Sequence, residues 1–247
     1  MTYPVKHSHE ERINLSQEIL ERLKNKYKEN LLAVAFFGSM SRDEDTDYSD
    51  VDMSAIIKGE NIAEEMMGIV NGLKYGVDIF SQDVVHSKIT SVHMRWPLLV
   101  GKFVTALPIY DEQGLFTSYK QLFDETIKKD FRPFIKEIFI EEIYEDCNKS
   151  IAITSTGTRA QVIYNSFNLL TKMVSFLGVI NKSYYSSSVT FAQKAMSFPI
   201  NFPSFKEFGE SVVSDKLMTN EELRVTVQNL LNEITDYLKS NDIIFEE

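Results

Sequence analysis

The sequence has little of several features that define common classes of protein. It contains one cysteine, Cys147, so no internal disulfide can form and a reducing compartment is expected. It has no apolar run of about eighteen residues, the length that a membrane-spanning helix requires. The first residues, MTYPVKHSHEER, lack the apolar segment of a secretory signal. We therefore expect a cytoplasmic protein with no membrane partner.

Positive charge is also scarce. Lys and Arg number 26 against 36 Asp and Glu, which gives a formal net charge of -10. A nucleic-acid binder needs basic tracks for phosphates, and the one short basic cluster is TIKKDFR at 126–132. This balance argues against a nucleic-acid partner or a polymerase and suits a small cationic substrate. The 43% hydrophobic and 25% charged content is typical of a globular protein.

The pattern of apolar residues changes along the chain near residue 128. Before it, amphipathic spacing predicts a helix over 9–28 and another around 60–70, and apolar runs predict strands over 31–37, 51–57 and 75–81. After it, spacing of three and four residues predicts helices over 134–153, 159–180 and 220–240, the last capped by Thr219. We therefore predict an α+β protein, with a mixed-sheet domain over 1–127 and an all-helical bundle domain over 128–247.

The stretch FFGSMSRDEDTDYSDVDMS at 36–54 carries the strongest chemical pattern. Asp50 and Asp52 are two residues apart at the start of a predicted strand, so their side chains share one face. Two carboxylates on one face repel each other unless a cation lies between them, and such oxygen ligands suit Mg²⁺. The pair therefore predicts a metal site.

A second pattern precedes the acids by ten residues. Gly38 lets backbone amides approach an anion, the Ser39 hydroxyl adds a donor, and Arg42 offers a planar guanidinium, so these residues predict a phosphate-binding turn. A common turn followed by a solvated acidic loop is the ordinary alternative. On either interpretation the remaining acids of the loop are expected to be surface charges that can be replaced one at a time: Asp43, Glu44, Asp45 and Asp47.

A Gly-Ser turn, a spacer of ten residues and Asp-x-Asp together resemble the nucleotidyltransferase superfamily, whose catalytic domain is polymerase-β-like. YSD at 48–50, WPL at 96–98, G-x-F at 101–103 and LPIYD at 107–111 are similar to the kanamycin nucleotidyltransferase family within it. The resemblance implies transfer of AMP from Mg²⁺-ATP to a hydroxyl group of an aminoglycoside. It also implies a homodimer with shared active sites in a cleft between the domains. Ser49 would then contact the nucleotide, and Lys74 its phosphates.

Three charged residues follow one another at intervals of four in the predicted helix over 134–153. Glu141, Glu145 and Lys149 would share one helix face, and a stabilising surface ion pair explains Glu145 and Lys149 without any function. The resemblance implies more: Glu145 as the general base, Lys149 on the phosphates, and Glu141 in the acceptor pocket. Glu142 is a further candidate substrate contact, because a polycationic acceptor is bound by several carboxylates.

The third metal ligand of the superfamily is harder to place. The resemblance assigns a carboxylate to a later strand, where Gly76 stands in this chain and Asp78 follows two residues later on the same face. We expect Asp78 to be a metal ligand or a substrate contact, with a strand-edge charge as the alternative. Two alternatives for function stay open: the same chemistry on a lincosamide, metabolite or protein hydroxyl, and a nucleotide-binding regulator without catalysis. The intact Asp50-Val51-Asp52 and Glu145 argue against the regulator.

Overall fold

The computed structural model of the chain describes residues 5–214 and 216–244. The strands are β1 (Leu31–Phe36), β2 (Val51–Ile57), β3 (Ala63–Val70), β4 (Leu73–Ser81) and β5 (Leu107–Tyr110). The helices are α1 (His9–Tyr27), α2 (Gln82–Thr90), α3 (Trp96–Leu99), α4 (Gly101–Val104), α5 (Leu115–Thr126), α6 (Arg132–Ile138), α7 (Tyr144–Thr156), α8 (Arg159–Ile180), α9 (Phe191–Met196), α10 (Pro203–Val213) and α11 (Asn220–Ser240).

The described residues form two compact units. The first comprises the residues up to Ser91 together with Val100–Lys128, and the second comprises Val92–Leu99 together with the residues from Lys129 onward. The sequence-based division at residue 128 placed 92–99 in the first half, whereas this segment packs with the second unit. No helix within 5–214 or 216–244 is long and apolar enough to cross a bilayer.

The first unit is built on a five-stranded sheet in the order β3-β4-β2-β1-β5. Strands β2 and β4 are parallel, and the other neighbouring strands are antiparallel. Helix α1 packs its apolar residues Leu15, Ile19 and Leu23 into the core on one sheet face. The opposite face carries Asp52 and Ser54, because side chains alternate along a strand. This mixed sheet confirms the predicted α+β class.

The helix predicted around residues 60–70 is wrong. This segment is strand β3, which pairs antiparallel with β4 along its whole length. The turn between them is Asn71-Gly72, with φ of 51° and 87°. An Asn-Gly pair with both φ angles positive is a strong signal for a two-residue hairpin. The hairpin supplies backbone hydrogen bonds to an exposed edge segment whose composition alone suggested a helix.

The second unit is helical, as predicted. Thr219 caps α11 reciprocally: its Oγ1 accepts from Glu222 N at 3.3 Å, and its backbone N donates to the Glu222 carboxylate at 2.9 Å. The helix predicted over 134–153 extends from Arg132 to Thr156, and one turn of π-helix, Phe139–Ile143, separates α6 from α7. A π turn of this kind inserts an extra residue and often lies at a functional site.

The β3–β4 hairpin depends on the left-handed backbone at Gly72. We expect Gly72→Ala to lower the free energy of unfolding by about 1 kcal/mol, because an L side chain resists a positive φ. Asn71→Gly is the matched control, since glycine adopts φ of 51° without strain. Urea unfolding measures both variants. Equal destabilisation by the two substitutions would contradict this account of the turn.

Candidate active site

The turn after β1 brings its backbone against the first acid of β2. Phe37 N donates to the Asp52 carbonyl at 3.1 Å, and Gly38 has a φ of 66°. A Cβ atom built on Gly38 would lie 2.9 Å from Asp52 Oδ2. A side chain at residue 38 would therefore displace the Asp52 carboxylate, so the turn and the acid form one structural feature.

The Asp52 carboxylate is held in an environment that disfavours its charge. Burial, followed by the charge of Asp50, raises the pKa of Asp52 to about 6 from 3.8, and Asp78 contributes in the same direction. Lys74 and Lys102 oppose the shift. On the same face, Ser54 Oγ is buried and has no hydrogen-bond partner within residues 5–214 and 216–244. Crowded carboxylate oxygens of this kind fit a hard divalent cation such as Mg²⁺.

Asp50 immediately precedes β2, and its side chain is 36% exposed. Lys74, from the start of β4, places its Nζ 3.2 Å from Asp50 Oδ2, and this contact raises the pKa of the lysine. The sequence analysis gave Lys74 a phosphate contact. The structure places the Lys74 ammonium beside Asp50, an expected metal ligand. In the predicted phosphate role, the ammonium would contact a phosphate while it remains close to Asp50.

Asp78 has a partner that the sequence analysis missed. In the parallel register Asp52 pairs with Gly76, and Ser54 pairs with Asp78, so Asp78 lies one pleat further along the sheet face. Lys102 Nζ lies 2.5 Å from Asp78 Oδ2. Lys102 is the middle residue of the G-x-F motif, whose variable position offered no signal of its own.

The three expected metal ligands do not form one close set. Within 5–214 and 216–244, the one group of three or more possible ligands lying within 4.8 Å of one another is His9, Asp43 and Asp45. Asp50, Asp52 and Asp78 are therefore farther apart than that. Strand β3 adds an acid to this face, because Glu65 pairs directly with Asp78. Because residues 60–70 were predicted to be a helix, the pairing of Glu65 with Asp78 was not predicted.

Asp45 is not a surface charge, contrary to the sequence-based expectation. Its side chain is 4% exposed and lies 3.3 Å from Arg12 Nη1, while the Arg12 side chain is 1% exposed. His9 Nδ1 lies 2.8 Å from the other Asp45 oxygen. Arg12 also donates to the carbonyls of Thr46 and Ser49. These contacts fix the acidic loop to α1 immediately before Asp50.

Four of the residues predicted to bind the nucleotide lie in the segment between β1 and β2: Gly38, Ser39, Arg42 and Ser49. Arg42 donates from Nη1 to the Gly38 carbonyl at 2.5 Å and from Nε to Glu44 at 2.7 Å. Ser49 Oγ accepts from Thr46 N at 2.9 Å. The Ser39 carbonyl accepts from the backbone N atoms of Arg42 and Glu44. The turn is thus fixed by its own hydrogen bonds, and nucleotide binding by these residues stays a prediction.

In the second unit, Glu145 and Lys149 form the expected pair. Glu145 Oε1 lies 2.5 Å from Lys149 Nζ, and this lysine lowers the pKa of the glutamate. Glu141 lies in the π turn Phe139–Ile143, and Glu145 lies in the first turn of α7. Cys147 is buried, which raises its pKa to about 12 and agrees with a packing role.

A cavity of about 540 Å³ within the second unit contains the other predicted acceptor contacts. Its charged and ionisable lining residues are His93, Arg95, Glu137, Glu141, Glu142 and Lys172. Lys172, which the sequence analysis missed, bridges Glu142 at 2.6 Å and Asp146 at 2.7 Å. Glu141 and Glu142 therefore share one cavity, and Lys172 neutralises part of its acidity.

Comparison with known proteins gives the family. A family model described as the KNTase C-terminal domain matches residues 113–244, more than half of the chain. The chain belongs to this family. It is a nucleotidyltransferase, and the predicted relation to kanamycin nucleotidyltransferases is confirmed.

Relatives of this nucleotidyltransferase cover all or part of its length. An aminoglycoside nucleotidyltransferase (4') from Staphylococcus aureus is 25% identical over 249 aligned positions, covering 100% of this chain and 97% of the relative. A protein provisionally named a protein adenylyltransferase, from Methanocaldococcus jannaschii, is 29% identical over 138 positions, covering 52% of this chain and 88% of its own. The crystal structure of a nucleotidyltransferase-like protein from Exiguobacterium sibiricum has a TM-score of 0.56 at 13% identity, covers 93% of this chain and 78% of its own, and supports the fold.

The Arg12–Asp45 contact can be tested by stability. We expect Asp45→Asn to lower the free energy of unfolding by about 2 kcal/mol, because it leaves the buried Arg12 guanidinium without its anionic partner. Asp43→Asn, in the same loop but exposed, should change stability by less than about 0.5 kcal/mol. Urea unfolding of both variants checks this. If the two behaved alike, Asp45 would be a surface charge after all.

Asp52 predicts a pH dependence in the absence of divalent ions. Its folded-state pKa of about 6 exceeds the ordinary 3.8, so between these pH values the folded chain binds more protons than the unfolded chain. The Asp52 contribution to stability therefore falls as the pH rises from 3.8 to 6 and stays unfavourable at pH 7. Asp52→Asn should stabilise the chain at pH 7 by roughly 1–3 kcal/mol and have little effect below about pH 4.

Urea unfolding in EDTA at several pH values measures this difference. Asp83→Asn is a control of opposite sign, because hydrogen bonds from Ser81 and the Asn61 backbone lower the pKa of Asp83. That substitution should destabilise the chain at pH 7. A destabilising Asp52→Asn at pH 7 would show that the carboxylate is not held unfavourably.

Proposed function

We propose that this nucleotidyltransferase moves AMP from Mg²⁺-ATP to a hydroxyl group of an aminoglycoside and releases pyrophosphate. The observation that carries the proposal is the half-buried Asp52 beside Asp50, packed against the Gly38 turn. The full-length similarity to a relative named as an aminoglycoside nucleotidyltransferase (4') supports the acceptor class. Nucleotidyl transfer needs a metal, a phosphate-binding turn and a base, and each has a candidate residue in this chain.

The candidate metal ligands are Asp50 and Asp52, and Asp78 is a further acid on the same sheet face that pairs with Lys102. A bound Mg²⁺ would supply electrostatic stabilisation of the charge that develops on the phosphates. Ser39 and Ser49 would donate to phosphate oxygens, and Arg42 and Lys149 would add positive charge near them. Because Arg42 already bonds the Gly38 carbonyl, its guanidinium is oriented along the turn before a nucleotide arrives.

Glu145 is the proposed general base. Its carboxylate would take the proton of the acceptor hydroxyl as the new O–P bond forms and the bond to pyrophosphate breaks. Lys149 lowers the pKa of Glu145, which keeps the carboxylate ionised and ready to accept a proton at neutral pH. The same lysine contact weakens the carboxylate as a base, so release of Lys149 toward a phosphate would strengthen it.

The proposed acceptor is a polycation, and the acids of the second-unit cavity suit its ammonium groups. Glu137, Glu141 and Glu142 line that cavity. Their charges would orient a substrate with several amines, since electrostatic complementarity selects among acceptors. The resemblance further suggests a homodimer with shared active sites in a reducing, cytoplasmic setting. Light scattering of the purified chain tests the dimer.

The decisive experiment is mass spectrometry of kanamycin, tobramycin and lincomycin after incubation with the protein and Mg²⁺-ATP. We expect an AMP adduct on an aminoglycoside. Asp50→Asn, Asp52→Asn and Glu145→Gln should each lower kcat by about a hundredfold or more, because each removes a ligand or the base. Glu221→Gln, which breaks a comparable exposed pair with Arg224 on α11, is the matched control and should keep full activity.

Other outcomes distinguish the alternatives. An adduct on lincomycin alone would move the activity to another small acceptor. An adduct on protein alone would favour the chemistry named for the Methanocaldococcus jannaschii relative. Tight ATP binding without any adduct, unchanged by Glu145→Gln, would leave a nucleotide-binding regulator and overturn the proposed function.

A further inference from the structure

Lys102 occupies an unusual position for a lysine side chain. Its ammonium lies 2.5 Å from Asp78 Oδ2, and the two side chains are only 21% and 24% exposed. The rings of Phe37, Phe80 and Phe103 lie 5.5, 5.1 and 5.6 Å from the same nitrogen. The ammonium therefore has one carboxylate and three aromatic rings as neighbours.

These contacts hold the lysine and the acid together. Three ring faces attract a cation, and their attraction is largest where water is partly excluded. Removing one member of a partly buried ion pair leaves the other charge uncompensated, which is costly. The Asp78 carboxylate is thus already paired with the Lys102 ammonium. Lys74, which pairs with Asp50, is 62% exposed and can separate from its partner more easily.

The strand register separates Asp78 from the other two acids. Asp78 pairs with Ser54, while the residue that pairs with Asp52 is Gly76, which has no side chain to offer a metal. Asp50, Asp52 and Asp78 do not lie within 4.8 Å of one another. A divalent ion between Asp50 and Asp52 would be close to two acids, and Asp78 would have to give up Lys102 to join them.

We propose that Lys102 is a positioning residue that keeps Asp78 paired, so that a divalent ion is bound through Asp50 and Asp52 without Asp78. The inference rests on the metal site of the proposed function. It adds that the Asp78 carboxylate pairs with Lys102 and that Lys102 provides a fixed positive charge beside Asp78. The chain should then hold about one divalent ion per site, because Mg²⁺ needs only one or two protein carboxylates.

Electron paramagnetic resonance measures free Mn²⁺ during titration of the full chain with Mn²⁺ and α,β-methylene-ATP. We expect about one Mn²⁺ per wild-type chain, with Asp78→Asn within about twofold of wild-type affinity and Asp52→Asn at least about tenfold weaker. Lys102→Met frees Asp78 and keeps an apolar stem among the rings, so it should bind a second Mn²⁺ or bind the first about tenfold more tightly. The double variant Lys102→Met/Asp78→Asn should return to wild-type binding.

Two controls separate this effect from general damage. Lys102→Arg preserves the charge and should bind Mn²⁺ as the wild type does. Lys88→Met removes another ammonium over the Phe80 ring, at 5.2 Å, and should also leave Mn²⁺ binding unchanged. Circular dichroism checks that each variant is folded.

Three results would overturn the proposal. If Asp78→Asn weakened Mn²⁺ binding as much as Asp52→Asn, Asp78 would be a metal ligand. If Lys102→Met bound Mn²⁺ as the wild type does, the lysine would not control Asp78. If Asp52→Asn itself did not change Mn²⁺ binding, the metal site of the proposed function would be wrong, and this inference would be wrong with it. Mn²⁺ binding by the Asp52→Asn variant tests that site separately from the Lys102→Met variant, which tests the inference.

Discussion

The close packing around Asp52 is the constraint on which the candidate site depends. Its carboxylate lies on a central strand between two glycines, and Cβ atoms on Gly38 and Gly76 would lie 2.9 Å and 3.8 Å from its oxygens. This packing partly removes the carboxylate from water while leaving it beside Asp50, and both effects disfavour the ionised form. The fold therefore holds Asp52 in a position where a cation would best stabilise its charge. Gly38, which packs against this carboxylate, also forms the turn proposed to bind phosphate.

Lysines compensate part of this acidity from distant places in the sequence. Lys74 pairs with Asp50 and Lys102 with Asp78, so the set Asp50, Asp52 and Asp78 is accompanied by two ammonium groups. Asp52 is in neither of these two ion pairs.

The helical unit shows the same arrangement with different elements. Lys172 of α8 bridges Glu142 and Asp146, and Lys149 pairs with Glu145 within α7. Glu141 and Glu142 lie in the π turn Phe139–Ile143 and line a cavity, while the following helix α7 carries the Glu145–Lys149 pair. The sequence alone would explain the Glu145–Lys149 pair as helix stabilisation. In the structure this pair is connected through Asp146 to Lys172, so it belongs to a larger set of charged residues. Its exposure means that a substrate can compete for either partner.

The sequence by itself determined what short-range patterns encode. Helix α1, strands β1, β2 and β4, the long C-terminal helices and the Thr219 cap follow from periodicity and capping, and the Gly-Ser and Asp-x-Asp spacing identified the family. The sequence also contains the hairpin signal Asn71-Gly72, which the helix prediction for 60–70 overlooked. Only the tertiary structure decided that Lys102 pairs with Asp78 across 24 positions and that the Asp45 side chain is buried against Arg12. The physical reason is that these contacts join segments far apart in the chain. The local spacing of residues in a sequence does not identify contacts between residues that lie far apart in the chain.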